Sequence, residues 1–409
     1  MDYAAARAEA REWLLANWDP DRTVAAWWEV LTDSGWGFPT WPREWFGFGL
    51  PPELAGAVRE AFLDVGALGP PASLGQLLGA PTLLTHGSQE LKERFLPALA
   101  YGEEFWCQFF SEPGAGSDLA GLQTRAVRDG DEWVINGQKV WTSGAQYADR
   151  GMVVARTDPD VPKHHGITYF VIDLDQPGVE VRPLHQMNGA HGFNEVFFAD
   201  ARVPHDRIVG EENGGWSVAV TTLMFERFMA AVPSADPGRK PGMRGSRAGD
   251  VASGKIRGQR ERAAPSRTII DVARELGQQH DPVGRQQIAK VWGLEEIDRL
   301  SGLRQADAVR AGRRPGAEGS ARKLGRSRLA RTGRDVGMRM LGARGLVITD
   351  DPHGAAAIRQ RALSSPGASI AGGTDEIQRN VIGERVLGLP KEPRVDRDTP
   401  FRDLTTGTQ

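Results

Sequence analysis

The chain has 409 residues, of which 40% are hydrophobic and 25% charged, as is ordinary for a folded protein of two or three domains. Its 50 Lys and Arg against 53 Asp and Glu give a net charge of −3, which argues against a surface built mainly to bind nucleic acid. The single cysteine, Cys107, excludes an internal disulfide and a thiolate metal cluster, and it indicates a reducing, cytoplasmic setting.

No stretch reaches the roughly 20 apolar residues of a membrane span, so we predict none. We also predict no metal site. The acidic start of the chain is not expected to be a secretory signal.

Residues 1–106 predict an N-terminal helical domain. The segment Ala4–Trp18 is rich in good helix formers, and Pro51 and Pro52 suit the first turn of a helix through Glu53–Phe62. Ser88 is the expected N-cap of a further helix over Gln89–Tyr101.

Residues 107–217 predict a central antiparallel β domain of six to eight strands. The dipeptides Asp129-Gly130 and Asn136-Gly137 both tolerate the positive φ of tight hairpin turns, so we expect a turn at each. Four short segments rich in β-branched or aromatic residues follow, at Gly151–Arg156, Ile167–Leu174, Val179–Leu184 and Glu195–Ala199.

Residues 218–409 predict a C-terminal helical domain, with helices over Thr221–Ala231, Arg285–Leu303, Ala321–Leu341 and Thr374–Leu387. Residues 234–266 differ in composition. They are basic and rich in glycine and proline, with few apolar side chains, so we predict disorder. Two other interpretations are a nucleic-acid-binding arm and a frame-shifted stretch.

Two segments near the start of the β domain could bind a planar cofactor. The glycine-rich loop Ser111–Asp118 lets a ligand approach the backbone closely and adds hydroxyl groups, although such loops are often simple turns. In Trp141-Thr142-Ser143-Gly144, an indole can cover one face of a ring while a hydroxyl binds its edge. The alternative is a core tryptophan at a strand end.

Two further segments lie in the C-terminal domain. Gly372 and Gly373 precede a helix capped by Thr374, so free N–H groups could face a ligand; an ordinary capped helix is the alternative. Glu226 is surrounded by apolar residues in Leu223–Phe228, which suits a general base in a water-poor pocket. The alternative is a surface charge pattern with Arg227.

Together these four segments, in this order, resemble the acyl-CoA dehydrogenase family of flavoproteins. The segment Trp106–Asp118 is similar to a long and specific family signature, and the resemblance covers the chain outside 234–266. It implies an α+β multidomain fold with an N-terminal helical domain, a central antiparallel β domain and a C-terminal four-helix bundle. It also implies FAD, an acyl-CoA substrate, an electron-transferring flavoprotein as partner, and a homo- or hetero-oligomer in fatty acid metabolism.

The resemblance also assigns residues. It implies that the flavin is lined by residues of three segments: Gln108, Phe110, Ser111, Gly116 and Ser117, then Trp141, Thr142 and Ser143, then Thr374, Asp375 and Glu376. It implies that the substrate is contacted by Ser117, Phe225, Arg227, Gly372 and Gly373.

The resemblance places the base on the C-terminal domain. Many members carry a glutamate where this chain has Gly372, directly before the Gly-Thr motif. A subgroup that resembles isovaleryl-CoA dehydrogenase instead carries it in a Leu-x-x-Glu-Arg pattern, which Leu223–Arg227 matches. We therefore predict that Glu226 removes the Cα proton.

The chain departs from the family pattern at two places. The expected Arg-x-x-Phe-Gly motif is not seen after the Glu-Arg helix, and the later Gln-x-x-Gly-Gly-x-Gly pattern reads Arg339–Gly345 without its glutamine and one glycine. Two alternatives follow from the sequence: a structural subunit that pairs with an active homologue, and a flavin oxidase or monooxygenase of the same fold.

Overall fold

The computed structural model describes residues 1–231, 243–254, 264–313, 316–317, 319–347, 354–391 and 396–404. Contacts divide the chain into two compact units. The first comprises 1–185, 191–258 and 393–409, and the second comprises 186–190 and 259–392. The predicted boundaries after 106 and 217 both fall inside the first unit, and they stay a prediction.

The first unit begins with five helices: α1 (Tyr3–Asn17), α2 (Val24–Ser34), α3 (Ala55–Val65), α4 (Ala80–His86) and α5 (Gln89–Ala100). Ser88 caps α5 as predicted, with its hydroxyl accepting from Leu91 N. The indoles of Trp27 and Trp28 are buried and donate to the carbonyls of Leu68 and Gly69. These bonds satisfy the only polar atom of each ring, which lets α2 pack in the apolar core.

The same unit contains a seven-stranded sheet: β1 (Trp106–Phe109), β2 (Arg125–Asp129), β3 (Glu132–Ser143), β4 (Arg150–Arg156), β5 (Ile167–Asp173), β6 (Val179–Leu184) and β7 (Phe193–Pro204). The strand order is β1-β4-β2-β3-β7-β6, with β5 paired to β4. Seven strands agree with the predicted six to eight. The sheet is mixed, because β4 pairs in parallel with both β1 and β2.

The two predicted hairpin dipeptides differ in outcome. Gly130 has φ 63° in the turn between β2 and β3, as predicted. Asn136-Gly137 makes no turn, so that prediction was wrong, and β3 continues through it. Gly137 sits at an irregularity in the pairing of β3 with β7, where a Cβ atom would lie 2.4 Å from the Thr124 hydroxyl. Glycine is needed there for close approach of two backbone segments.

Both faces of the sheet are covered by apolar side chains. One cluster, which includes Trp106, Tyr169 and Val171, packs against residues of α4 and α5. A second cluster, which includes Cys107 and Phe170, fills the other face. Cys107 is fully buried, and burial raises the pKa of its thiol.

Helix α6 (Gly215–Ala231) follows the sheet and packs against β5. Part of the basic segment then returns to the N-terminal helices. Residues 243–254 include the short helix α7 (Ala248–Ala252), whose Ala248 and Val251 are buried in the core of α1–α3. The carbonyls of Arg244 and Ser246 accept from the first free amides of α2.

The prediction of disorder over 234–266 is therefore wrong for 243–254 and for 264–266, where a further helix begins at Pro265. Ala248 and Val251, three residues apart on α7, are buried, and the backbone of the segment 243–254 bonds to α2, although the mean composition of the segment is polar. Residues 232–242 and 255–263 lie outside the described residues.

The second unit is helical: α8 (Pro265–Glu275), α9 (Pro282–Arg310), α10 (Gly319–Leu341), α11 (Ala355–Ala368) and α12 (Asp375–Val381). Four of them, α8 to α11, share one apolar core, which includes Ile269, Val291, Val336 and Ile358. The predicted C-terminal helices were found, and the sequence patterns missed α8 and α11. Among the described residues, no helix has the length and apolar character needed to cross a lipid bilayer.

We expect Val251→Ala to lower the free energy of unfolding by about 2 kcal/mol, because it removes buried methyl groups from the core beneath α7. Chemical denaturation of the whole chain measures this change. Ser253→Ala, at an exposed position in the same segment, is the control and should have little effect. Equal stabilities for the two variants would contradict the packing of this segment.

Candidate functional site

Helix α6 holds Glu226 on a surface that is fixed to the sheet. One turn earlier, the buried Thr222 hydroxyl lies 2.9 Å from that of Thr82 and 3.2 Å from the Tyr169 hydroxyl. The neighbouring Thr221 hydroxyl lies 2.8 Å from His86 Nε2. Residues four apart share one helix face, so these contacts fix the face that carries Glu226.

Glu226 is half-buried and faces strand β1. Its Oε2 lies 3.5 Å from Nε2 of Gln108, which is a long hydrogen bond donated by the amide. Two residues that the sequence assigned to different segments are thus neighbours within the first unit. A carboxylate in this position could accept a proton from a ligand lying over β1.

Trp141 has an unusual backbone at the end of β3. It is a non-glycine residue with φ 61°, next to a register shift between β3 and β7. Its indole is 56% exposed, and Ser143 beside it is half-buried. Left-handed backbone is costly for a bulky residue and is concentrated at ligand sites, so the exposed ring is a candidate ligand surface.

Thr142 differs from its two neighbours, because it is buried and its Oγ1 is without a hydrogen-bond partner among the described residues. The structure therefore brings Trp141 and Ser143 towards the exposed side and turns Thr142 inward. A role for the Thr142 hydroxyl at the flavin edge stays a prediction.

The glycine-rich loop, taken here as residues 111–123, presents small exposed groups next to this surface of the sheet. Gly116 and Ser117 are exposed, and a Cβ atom added to Gly116 would meet nothing within 4 Å. The loop begins on the sheet, where Ser111 O accepts from Val140 N at 2.9 Å, one residue before Trp141. The loop and the strained tryptophan are thus joined by the backbone.

A buried ion pair fixes both ends of the loop. Glu112 accepts from the amides of Gln123 at 2.6 Å and Thr124 at 3.0 Å, and from Nζ of Lys139 at 2.8 Å. Lys139 is fully buried and also donates to Phe110 O at 3.1 Å. One carboxylate thereby closes the loop and ties it to β3, two residues before Trp141.

Burial and mutual attraction act in opposite directions on the pKa values of this pair. Burial acts to raise the pKa of Glu112, but the Lys139 cation and the backbone donors hold that pKa below its ordinary value. Burial lowers the pKa of Lys139, and the nearby Glu112 opposes the change. We describe the pair as ionised, because Glu112 receives three donors and offers none in that state.

The sequence predictions missed Glu112, Lys139 and the buried Arg156. The available signal was Lys139, which stands directly before Val140 and Trp141 at a position of β3 where an apolar residue is expected. A buried lysine needs a carboxylate partner, and the glycine-rich loop contains one.

The remaining predicted residues of the first unit are placed as follows. The Phe110 ring is buried and meets the Tyr169 ring edge-on, and Phe225 is half-buried against the same cluster. The backbone of Arg227 belongs to α6, but its side chain lies outside what the structure describes. Their ligand contacts stay predictions.

The second unit contains the Gly372–Glu376 group. Gly372 and Gly373 have φ 65° and 89°, and Thr374 caps α12 by accepting from Ile377 N. The Asp375 carboxylate is buried and pairs with Lys323 and Arg331 of α10, at 3.4 and 2.5 Å. Glu376 is exposed.

Asp375 has a structural role, because its carboxylate pairs with two cations of α10. Burial opposes its ionisation, yet hydrogen bonding from Arg331 lowers the pKa of Asp375 to about 2. Its carboxylate therefore joins α12 to α10, whereas a role with the cofactor stays a prediction, as it does for Thr374 and Glu376.

The chain matches three family models along its length. The models are described as the N-terminal, middle and C-terminal domains of acyl-CoA dehydrogenase, and they match residues 3–103, 107–201 and 263–387.

Two curated relatives come from Mycobacterium tuberculosis. The chain is 36% identical to acyl-CoA dehydrogenase IpdE1 over 371 residues, which cover 90% of this chain and 89% of the relative. It is 38% identical to acyl-CoA dehydrogenase FadE34 over 366 residues, which cover 88% of this chain and 46% of that longer protein.

Two solved structures have the same fold. The ChsE4-ChsE5 complex from Mycobacterium tuberculosis is 28% identical, with a TM-score of 0.67, and the match covers 95% of this chain and 97% of that one. The Tcur3481-Tcur3483 steroid ACAD is 27% identical, with a TM-score of 0.66, covering 96% and 99%.

The helical, β and helical order, together with these matches, defines a flavoprotein oxidoreductase fold. The chain belongs to the acyl-CoA dehydrogenase family, whose members use FAD to dehydrogenate acyl-CoA thioesters. The predicted family, fold class and cofactor are confirmed. The resemblance to the isovaleryl-CoA dehydrogenase subgroup is not supported, since the similar structures include a steroid ACAD.

The residues of the first unit fit FAD. An exposed indole next to a serine, on a strained strand end, suits one face and the edge of a flavin ring. The open Gly116 and the exposed Ser117 suit the close approach of phosphate groups. Gln108 and Glu226 lie together on the neighbouring strand and helix.

We expect Lys139→Met to lower the free energy of unfolding by about 3–5 kcal/mol, because it leaves the Glu112 carboxylate buried without its cation. Lys290→Met, at an exposed position of α9, is the control and should change stability little. Chemical denaturation of both variants measures the difference. A loss below 1 kcal/mol for Lys139→Met would contradict an ionised pair.

Proposed function

We propose that this chain dehydrogenates a CoA thioester between Cα and Cβ, with Glu226 as the base. The contact between Glu226 and Gln108 is the observation that carries the proposal, because it puts a carboxylate of α6 over β1 of the proposed flavin site. The family supports the reaction type, and the geometry supports the choice of base.

Glu226 takes the proton from Cα, while the hydride leaves Cβ and the Cα–Cβ double bond forms. FAD, when bound, supplies the acceptor for that hydride. Gln108 donates to the Glu226 carboxylate and so orients it. The hydroxyl contacts of Thr222 keep α6 at a fixed distance from β5, which limits movement of the base during proton transfer.

No glutamate stands directly before the Gly373-Thr374 pair, so the second unit does not offer the base that many family members use. The Gly372 amide is proposed to donate to the thioester oxygen and to stabilise the enolate charge that develops when Cα loses its proton. Gly373 and Ser117 are also proposed to contact the substrate.

We propose a bulky acyl group as the substrate class. One similar structure is described as a steroid ACAD. In this chain the candidate base is Glu226 on α6, and no glutamate stands next to Thr374. A screen of CoA thioesters should compare short straight chains with polycyclic acyl groups, and flavin bleaching under anaerobic conditions identifies the substrate. An electron-transferring flavoprotein is the proposed electron acceptor.

We expect Glu226→Gln to slow bleaching of the flavin by a good acyl-CoA substrate by about 10²- to 10⁴-fold, because an amide cannot accept the Cα proton. Stopped-flow absorbance under anaerobic conditions measures the rate. FAD content and the thermal transition should remain those of the unaltered chain.

Glu211→Gln is the matched control, since it makes the same chemical change at an exposed site before α6. This control should bleach at the normal rate. Fast bleaching in Glu226→Gln would exclude Glu226 as the base.

We propose that the chain assembles with a second chain of the same family through α9. Large apolar side chains with about half or more of their surface exposed recur along this helix, at Trp292, Ile297, Leu300 and Leu303. The similar structures that carry two protein names support a paired arrangement. The spacing of these four apolar side chains along α9 places them on one broad helix face.

We expect Ile297→Glu to reduce the molar mass of the assembly purified together with its second chain, because a carboxylate in an apolar interface loses its hydration. Light scattering after size exclusion measures the mass. Arg274→Glu, an exposed change on α8, should retain the assembly. An unaltered mass in Ile297→Glu would reject this face as the interface.

A further inference from the structure

A segment near the C-terminus belongs to the first unit. Residues 396–404, named here the C-terminal latch, follow the last helices and pack against the connection between β4 and β5. Phe401 N donates to Val161 O at 2.9 Å, and Arg402 N donates to Pro159 O at 3.0 Å. These residues lie outside the three ranges matched by the family models.

The latch covers a buried cation. The guanidinium carbon of Arg156 lies 3.7 Å from the centre of the Phe401 ring, and both side chains are buried. Arg156 donates through Nη2 to Ala120 O and through Nη1 to Lys163 O, both at 2.6 Å. Ala120 belongs to the glycine-rich loop. The Phe401 ring therefore covers the guanidinium group that binds the loop.

The latch also shares a second cation with the loop. Nζ of Lys163 lies 2.8 Å from Asp118 and 2.7 Å from Asp396. Asp118 directly follows Ser117, and Asp396 begins the latch. One ammonium group thus bridges the exposed part of the loop to the end of the chain, with 14% of its side chain exposed.

The loop is anchored in the apolar core through Ala115, Leu119, Ala120 and Leu122, and further contacts hold its polar part. The Glu112 carboxylate binds its start and its end at 123, whereas Ser117 and Asp118 are exposed between them. Arg156 binds the carbonyl of the buried Ala120, and Lys163 binds the exposed Asp118. Phe401 and Asp396 in turn hold those two cations.

We propose that the C-terminal latch positions the glycine-rich loop and thereby sets the affinity for the CoA thioester. The inference rests on the proposed function in assigning Ser117 to ligand contact. Phe401 and Asp396 act through Arg156 and Lys163, so they are positioning residues. Their loss should weaken ligand binding while proton transfer by Glu226 continues at its normal rate.

Two measurements test the latch in Phe401→Ala and Asp396→Asn. Hydrogen–deuterium exchange of the chain without ligand reports the loop, since the amides of Ala115, Gly121, Leu122 and Gln123 bond within it. Calorimetry with free CoA on the flavin-loaded chain reports affinity. We expect faster exchange over 115–123 in both variants, and a dissociation constant about tenfold higher in Phe401→Ala.

Arg402→Gln is the matched control. It removes the exposed pair with Asp160, which joins the latch to the connection between β4 and β5 without touching the loop. This variant should leave loop exchange and CoA affinity unchanged, and all three variants should keep kcat within about twofold once saturated.

Unchanged exchange and unchanged CoA affinity in both test variants would overturn the proposal. Equal loosening of the loop in Arg402→Gln would also overturn it, because the effect would then be general. If Phe401→Ala fails to fold, Asp396→Asn decides, since its side chain is 32% exposed and its loss opens no cavity. Failure of the proposed function would show separately, as absence of CoA binding in the unaltered chain.

Discussion

The ion pair between Glu112 and Lys139 is the constraint on which the candidate site depends. A carboxylate is costly to bury, and here the cost is offset by a cation and two backbone donors. The same contacts set the geometry of an otherwise open loop and of the strand end that carries Trp141. Polar burial therefore shapes the candidate site, and apolar clusters pack on both faces of the sheet that carries it.

The sequence predicted the order of helical, β and helical regions, because helix formers and short β-branched runs leave strong local patterns. It also predicted Glu226 and Gln108 as site residues, although their proximity depends on how α6 packs against the sheet. Motif similarity supplied both residues. Their 3.5 Å contact could be seen only in the folded structure.

Other features could not be read from local patterns. Asn136-Gly137 is a strong turn signal, but the close approach of Thr124 uses the glycine inside a strand. Residues 243–254 have the composition of a disordered segment, yet Ala248 and Val251 fill a gap that α1–α3 leave open. In both cases a partner distant in sequence decides the structure, and a window of neighbouring residues contains no information about that partner.

Cys107 gives the molecule a practical property. It is the only cysteine in the chain, and its side chain is fully buried in the core on one face of the sheet, where the thiol is hard to ionise. A thiol introduced at an exposed position would therefore be the single group to react with a maleimide. Spectroscopic probes could be attached one site at a time, with no prior removal of the native sulfur.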